Sequence, residues 1–205
     1  MTKVDVETII ANLPFAPIRQ AMSDRLDDAF KGQEALRLFS FALPGAEMTP
    51  DIYDYFRPTG WFIVSIPDRY FGEGMQRTTI RPKLFVQPSP SICYHATPKS
   101  NQESIKGSGI LPGFKLNKTG HGKMFLDSPY YIYASLTEQD ARDWCGRFTE
   151  EEFLIYPLQI GKAGIRLFVD SCSVDWNTGV TSGYIIDALH IPPHLLASPI
   201  PCLRD

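Results

Sequence analysis

The fold of this chain depends most on one short segment, Ile92-Cys93-Tyr94-His95-Ala96-Thr97. Its short run of apolar, aromatic and β-branched residues predicts a β-strand. Ser100 and Glu103 follow with the spacing of a capping box, which predicts a short helix directly after the strand. Gly107 and Gly109 end that helix, because glycine readily takes the backbone conformation that follows a helix.

The chain after this segment alternates strands, short helices and long turn-rich loops. A helix is predicted from a cap at Thr137 to about Arg147. Further strands are predicted at residues 130–135, 153–160, 165–169 and 184–191. This irregular alternation predicts an α+β fold with a split β-sheet and short helices, rather than regular βαβ units. The motif G-x-G-x-x-G is absent, so a dinucleotide site of the doubly wound type is not predicted.

The first part of the chain predicts a mostly helical region. Apolar residues recur at helical spacing in two segments, and a third short helix is expected before Pro44-Gly45. The three helices are predicted at residues 4–12, 15–30 and 33–41, and two strands at 61–66 and 81–86. Two prolines and two serines within Gln87–Ser91 mark a boundary. We therefore divide the chain into an N-terminal region, 1–90, for scaffolding or target recognition, and a C-terminal domain, 91–205.

Composition narrows the classes of partner. The chain of 205 residues carries 20 basic and 23 acidic side chains, a net charge of −3. That balance does not favour a nucleic-acid partner held by a broad basic face, although it does not exclude one. No apolar run approaches the ~18 residues that span a bilayer, so no membrane contact is expected. Without a visible secretory signal, we expect a cytoplasmic protein, or an exported effector that acts in a host cytosol.

The four cysteines predict free thiols rather than a metal site. They stand at positions 93, 145, 172 and 202, with no C-x-x-C pair among them. The nearest approach to a metal-binding pattern is Cys93-x-His95. Buried thiols in a reducing compartment are the expected state, and no metal is predicted.

Three segments in order carry a family resemblance. The first is Cys93–Thr97 with the Gly109–Pro112 turn that follows its helix. The second is Ile132-Tyr133-Ala134-Ser135 with a helix that carries Ala141 and Trp144. The third runs from Gly183 through Pro193. Together, over residues 92–197, they resemble the ADP-ribosyltransferase superfamily, in the His-Tyr-acid branch of poly(ADP-ribose) polymerases and diphtheria-type toxins.

The resemblance implies NAD as the substrate and assigns roles to individual residues. It implies that His95 hydrogen-bonds a ribose hydroxyl, that Thr97 lies nearby and that Tyr133 stacks on the nicotinamide ring. The implied NAD-binding set is His95, Ala96, Thr97, His121, Tyr133 and Ser135. Cleavage of the nicotinamide–ribose bond develops positive charge on the ribose, so an acid is expected beside it. From the residues alone, a core position is the more common explanation for both His95 and Tyr133.

The acid is where the sequence departs from the family pattern. Gly183 occupies the position expected for it, at the start of the late strand. Asp187 lies four residues farther, about 13 Å along an extended strand, and replaces the acid only if the register differs. The implied catalytic set is therefore His95, Tyr133 and Asp187. Loss of the acid removes a stabiliser of the cation.

Three functions follow from these observations. The first is a mono-ADP-ribosyltransferase that modifies a macromolecule, expected to be a protein, as a toxin or effector. The second is a non-enzymatic domain that kept the fold and lost the acid. The third is an RNA 2′-phosphotransferase-like enzyme, although that branch usually has histidine where this chain has Tyr133.

Overall fold

A computed structural model of the chain describes residues 1–67, 70, 73–113, 130–145, 152–170 and 183–203. It contains both helices and strands arranged in small antiparallel sheets, which confirms an α+β protein. The chain forms two compact units, Met1–Lys83 and Leu84–Asp205, so the division falls just before the proline-rich segment. None of the described helices combines the length and apolar character needed to cross a bilayer.

The first unit opens with the two helices that periodicity predicts, α1 (Lys3–Asn12) and α2 (Ala16–Ala29). Thr2 and Asp5 cap α1 reciprocally: the Asp5 N–H donates to Thr2 Oγ1 at 3.2 Å, and the Thr2 N–H donates to Asp5 Oδ2 at 2.6 Å. In α2, Pro17 lies in the first turn, where its missing N–H costs nothing. A third helix, α3 (Pro50–Phe56), buries Ile52, Tyr53 and Phe56.

The prediction of a helix at residues 33–41 was wrong. Phe39–Pro44 is instead strand β1, which joins β2 (Trp61–Pro67) and β3 (Met75–Pro82) in an antiparallel sheet of order β1-β3-β2. Phe39, Phe41 and Leu43 are buried alternately with partly exposed neighbours, which is the period of a strand. The first unit is therefore a mixed helix–sheet unit rather than a mostly helical one.

The second unit contains two three-stranded antiparallel sheets. The first has the order β4 (Cys93–Pro98), β6 (Glu152–Leu158), β9 (Ile200–Leu203). The second has the order β5 (Ile132–Ala134), β8 (Tyr184–Ile186), β7 (Leu167–Val169). An isolated antiparallel bridge between Tyr94 and Ser135 joins β4 to β5.

Strand β4 is packed on both faces. Cys93 belongs to the larger apolar cluster, while Tyr94 and Ala96 pack against a smaller one under helix α5 (Glu138–Cys145). The larger cluster includes Ile105, Ile110, Ile132, Ala134, Leu154, Tyr156, Leu158, Leu167, Ile186 and Ile191. The smaller cluster consists of Ala141, Cys145, Phe153, Ile155 and Cys202. Burial on both sides holds β4 in place along its length.

One of the two predicted helix caps is confirmed. At the start of α5, Thr137 Oγ1 accepts a hydrogen bond from the Asp140 N–H at 3.1 Å. The Ser100 cap was wrong: a 3₁₀ turn at Lys99–Asn101 precedes helix α4 (Gln102–Ser108), and no side chain caps α4. The strand predicted at 184–191 is also shorter, because β8 ends at Ile186.

Gly109 is required where α4 ends. Its φ is +76°, and a Cβ there would overlap the carbonyl oxygen of Ile191. That oxygen accepts from the Ile110 N–H at 2.9 Å. We predict that Gly109→Ala lowers the free energy of unfolding by about 1–3 kcal/mol, measured by urea denaturation.

Gly107→Ala is the matched control. Gly107 lies inside α4, and a Cβ there meets no atom within 4 Å. Alanine at that position should raise the free energy of unfolding by roughly 0.5–1 kcal/mol, because it restricts the unfolded chain and favours helix. Equal effects of the two substitutions would contradict the assigned role of Gly109.

Candidate functional site

The candidate site lies where the two sheets of the second unit separate. At the bridge, the Tyr94 N–H donates to the Ser135 carbonyl at 2.9 Å, and the Ser135 N–H donates to the Tyr94 carbonyl at 2.8 Å. In a continuous antiparallel ladder the next such pair would be Ala96 with Tyr133. The described bridge is isolated, so β4 and β5 diverge on the side of Ala96 and Tyr133.

His95 spans the opening between the diverging strands. Its Nδ1 lies 2.8 Å from the carbonyl oxygen of Tyr133, a residue 38 positions later. A carbonyl oxygen only accepts, so Nδ1 carries the proton in this contact. In the neutral ring Nε2 is then an acceptor, suited to a hydroxyl donor. The structure therefore brings together the two residues on which the sequence prediction depends.

Ala96 contributes its backbone to the opening. The N–H and C=O groups of successive strand residues point to alternate sides, so those of Ala96 point to the same side as those of Tyr94, toward β5. Its side chain packs against the cluster under α5. Any contact of Ala96 with a ligand in the opening would therefore be made by the peptide groups.

Thr97 and Ser135 are held inside the protein. Thr97 is 5% exposed, and its Oγ1 accepts from Asn101 Nδ2 at 2.9 Å, which ties the start of α4 to β4. Ser135 is 2% exposed. Alternation along β5 places Ser135 and Tyr133 on the face opposite Ile132 and Ala134, away from the larger apolar cluster.

The register of β8 settles which residue stands opposite Ser135. Ala134 pairs with Tyr184, so the next position along the sheet is Gly183 opposite Ser135. Gly183 therefore stands beside Ser135, and Asp187 lies four residues farther along the chain. The correspondence of either position to the acid of the family stays a prediction.

Asp187 lies at the other end of this sheet, beyond the last residue of β8. Its Oδ2 is 3.1 Å from Arg166 Nη2, and the guanidinium of Arg166 stacks 3.9 Å from the ring centroid of Phe85. The Asp187 N–H donates to the Arg166 carbonyl at 3.0 Å. These contacts give Asp187 a structural role in closing the end of the sheet.

His121, predicted to contact NAD, lies outside the described residues. Asp170, which sequence analysis did not single out, is a carboxylate only 2% exposed and directly follows β7. The sequence did carry a signal for Asp170, because an acidic residue there directly follows a short apolar run that predicts a strand.

Cys93 is fully buried, and burial raises the pKa of its thiol to about 12. Within the described ranges, no group of three or more histidine, cysteine or acidic side chains is placed to hold a metal ion.

Comparison with known proteins adds no family assignment. The chain matches no family model, and no curated protein sequence matches it significantly. The resemblance therefore remains a prediction that rests on the residues quoted above.

The Cys93 thiol makes the stability of the protein depend on pH above 9. Its pKa of about 12 in the folded state exceeds the ordinary value of 9.0, so the unfolded chain loses this proton first. The buried thiol contributes fully to the free energy of unfolding below pH 9. As the pH rises toward 12 this contribution is lost, by about 1.4 kcal/mol per pH unit. Urea denaturation between pH 8 and 10.5 should show a shallower decline for Cys93→Ala than for the wild type. Parallel declines would contradict the burial of this thiol.

Proposed function

We propose that this protein is a mono-ADP-ribosyltransferase that transfers ADP-ribose from NAD to a macromolecular target, foremost a protein. The observation that carries the proposal is the hydrogen bond of 2.8 Å from His95 Nδ1 to the Tyr133 carbonyl across the split between β4 and β5. It joins the two residues that the family resemblance identifies as the NAD site. The proposed core is the split-sheet fold of that superfamily.

The groups at the opening suit the two ends of nicotinamide riboside. His95 Nδ1 donates to the Tyr133 carbonyl, which fixes the ring, and the resemblance implies that the imidazole hydrogen-bonds a ribose hydroxyl. The Ala96 peptide groups, one donor and one acceptor on the same side, complement a carboxamide. The phenol ring of Tyr133 offers a face for stacking on the pyridinium, a contact worth about 0.5–1.5 kcal/mol.

Gly183 supports a single transfer rather than chain building. It lies opposite Ser135, where the family pattern has an acid, and it has no side chain to stabilise a cation. The same observation favours a second candidate, a domain that binds NAD without cleaving it. An RNA 2′-phosphotransferase receives less support, since Tyr133 stands in the position of that branch's histidine.

The state of the cysteines fits a reaction in a reducing compartment. Cys93, Cys145 and Cys202 are buried free thiols. We therefore place the reaction in a cytosol, either that of the producing cell or, for an exported effector, that of a host. NAD is available in both.

The test uses labelled NAD with a cell lysate, together with the thermal stability of the protein in the presence of NAD. Under the proposal, label is transferred to a target or to the protein itself, nicotinamide is released, and NAD raises the Tm. A rise in Tm without nicotinamide release would establish the binding-only alternative. If NAD causes neither label transfer nor a rise in Tm, NAD is rejected as the ligand.

His95→Asn should reduce label transfer by about 100-fold, because it removes both the contact to Tyr133 and the acceptor for ribose. His190→Asn is a matched control, since His190 Nε2 makes the same kind of bond, 2.7 Å to the Ser108 carbonyl, in a different place. Initial rates of labelling measure both. Equal losses in the two variants would indicate a structural effect rather than a site effect.

Replacements of Tyr133 separate stacking from hydrogen bonding. Tyr133→Phe keeps the ring and should retain most of the NAD-dependent rise in Tm, whereas Tyr133→Ala should abolish it. Tyr70→Ala, a tyrosine 83% exposed in the first unit, is the control for loss of an aromatic ring. If Tyr133→Ala unfolds the protein in far-UV circular dichroism, the ring is a core element instead.

A further inference from the structure

We propose that Cys145 and Cys202 form a dithiol site that low-molecular-weight disulfides, such as glutathione disulfide, oxidise reversibly to a Cys145–Cys202 disulfide. Both residues are free thiols in the structure. Cys145 is the last residue of α5, and Cys202 lies in β9, an edge strand of the first sheet of the second unit. The new bond would tie that helix to that strand. Neither thiol belongs to the proposed NAD site, so the reaction is independent of NAD.

The fold brings the two sulfurs together. Cys145 is 1% exposed and Cys202 is 6% exposed, and both belong to the smaller apolar cluster under α5. Within that cluster the two thiols are close enough to hydrogen-bond to each other. Cys145 Sγ also donates to the Ala141 carbonyl at 3.4 Å, one turn earlier in α5. Two cysteine side chains that meet in this way need little backbone movement to form a disulfide.

The helix that carries Cys145 also places a cation beside the pair. Arg142 precedes Cys145 by three residues, and its guanidinium lies within hydrogen-bonding reach of Cys202. Arg142 Nη2 is held at 2.6 Å from Glu138 Oε1. Thiol–disulfide exchange proceeds through a thiolate, which a neighbouring cation stabilises. Cys202, the more exposed of the two thiols, is therefore the sulfur at which the reaction starts.

Cys145 is suited to the second step. Burial, and after it the adjacent Cys202 sulfur, raises the pKa of the Cys145 thiol to about 12. A Cys202 sulfur held in a mixed disulfide carries no charge, so the second of these contributions is then removed. Cys145 ionises more readily once Cys202 has reacted. The first step thus prepares the second.

The reaction balances with the small disulfide as the only oxidant. The Cys202 thiolate bonds to one sulfur of the reagent, the S–S bond of the reagent breaks, and the other half leaves and takes up a proton. Cys145 then loses its proton and bonds to the Cys202 sulfur, which releases the second half of the reagent as a thiol. The protein loses two electrons and two protons, and the reagent gains them.

The experiment maps the cysteines of the full chain after incubation with glutathione disulfide at pH 8. Remaining thiols are blocked with iodoacetamide, and the peptides are analysed by mass spectrometry without reduction. Trypsin leaves Cys172 and Cys202 together in residues 167–204, and chymotrypsin separates them by cutting after Tyr184. We expect Cys145 linked to Cys202 as the dominant product, and its loss on treatment with dithiothreitol. Absence of that product, a dominant bond to Cys172, or glutathione retained on Cys202 overturns the proposal.

Alanine variants separate the pair from an ordinary buried thiol. Cys145→Ala should stop at a glutathione mixed disulfide on Cys202, and Cys202→Ala should leave Cys145 reduced. Cys93→Ala is the matched control, because Cys93 is equally buried but belongs to the larger cluster, and it should oxidise as the wild type does. Oxidation of Cys145 in Cys202→Ala would contradict the order of the two steps. The wild-type map tests the proposal even if a variant does not fold.

Arg142→Gln tests the charge beside the pair. Removal of the guanidinium should slow the loss of the Cys202 thiol at least about threefold, because the thiolate is no longer stabilised. Arg25→Gln is the control, since Arg25 is an exposed residue of α2 that pairs with Asp28. Equal rates in the two variants would overturn the role assigned to Arg142.

Discussion

Backbone hydrogen bonding sets the arrangement of the second unit. β4 and β5 pair at Tyr94 and Ser135, and beyond that pair their ladder stops. Peptide groups that lose ladder partners inside a protein need replacements. The His95 imidazole supplies one by binding the Tyr133 carbonyl at 2.8 Å. The split between the sheets, the position of His95 and the backbone lining of the opening are consequences of this one constraint.

Packing on both faces of β4 keeps the split in place. Cys93 is buried in the larger cluster, and Tyr94 and Ala96 pack on the smaller cluster under α5. Thr97 is tied to Asn101 at the start of α4. A strand fixed in this way presents His95 and the Ala96 peptide with little freedom to move, which is the condition for a preorganised binding site.

The two aspartates near the second sheet, Asp187 and Asp170, have different surroundings. Asp187 closes one end of that sheet through Arg166, whose guanidinium also stacks on Phe85. Asp170 lies in the row of Gly183 and Ser135, at the level of the bridge, and is buried.

The sequence by itself determined several of the local elements. Helical spacing predicted α1 and α2, Thr137 predicted the start of α5, and Gly109 predicted the end of α4, because each depends on neighbours in the chain. The helix predicted at residues 33–41 was wrong, because a short apolar run fits the period of a helix or of a strand. Pairing with β3 makes Phe39–Pro44 a strand.

Only the tertiary structure decided the site. It brought His95 to the carbonyl of Tyr133, 38 residues away, and it set the register that puts Asp170 beside Gly183 and Asp187 beside Arg166. Contacts of this kind join residues that are distant in the chain. They depend on strand pairing and burial, which local sequence patterns do not encode.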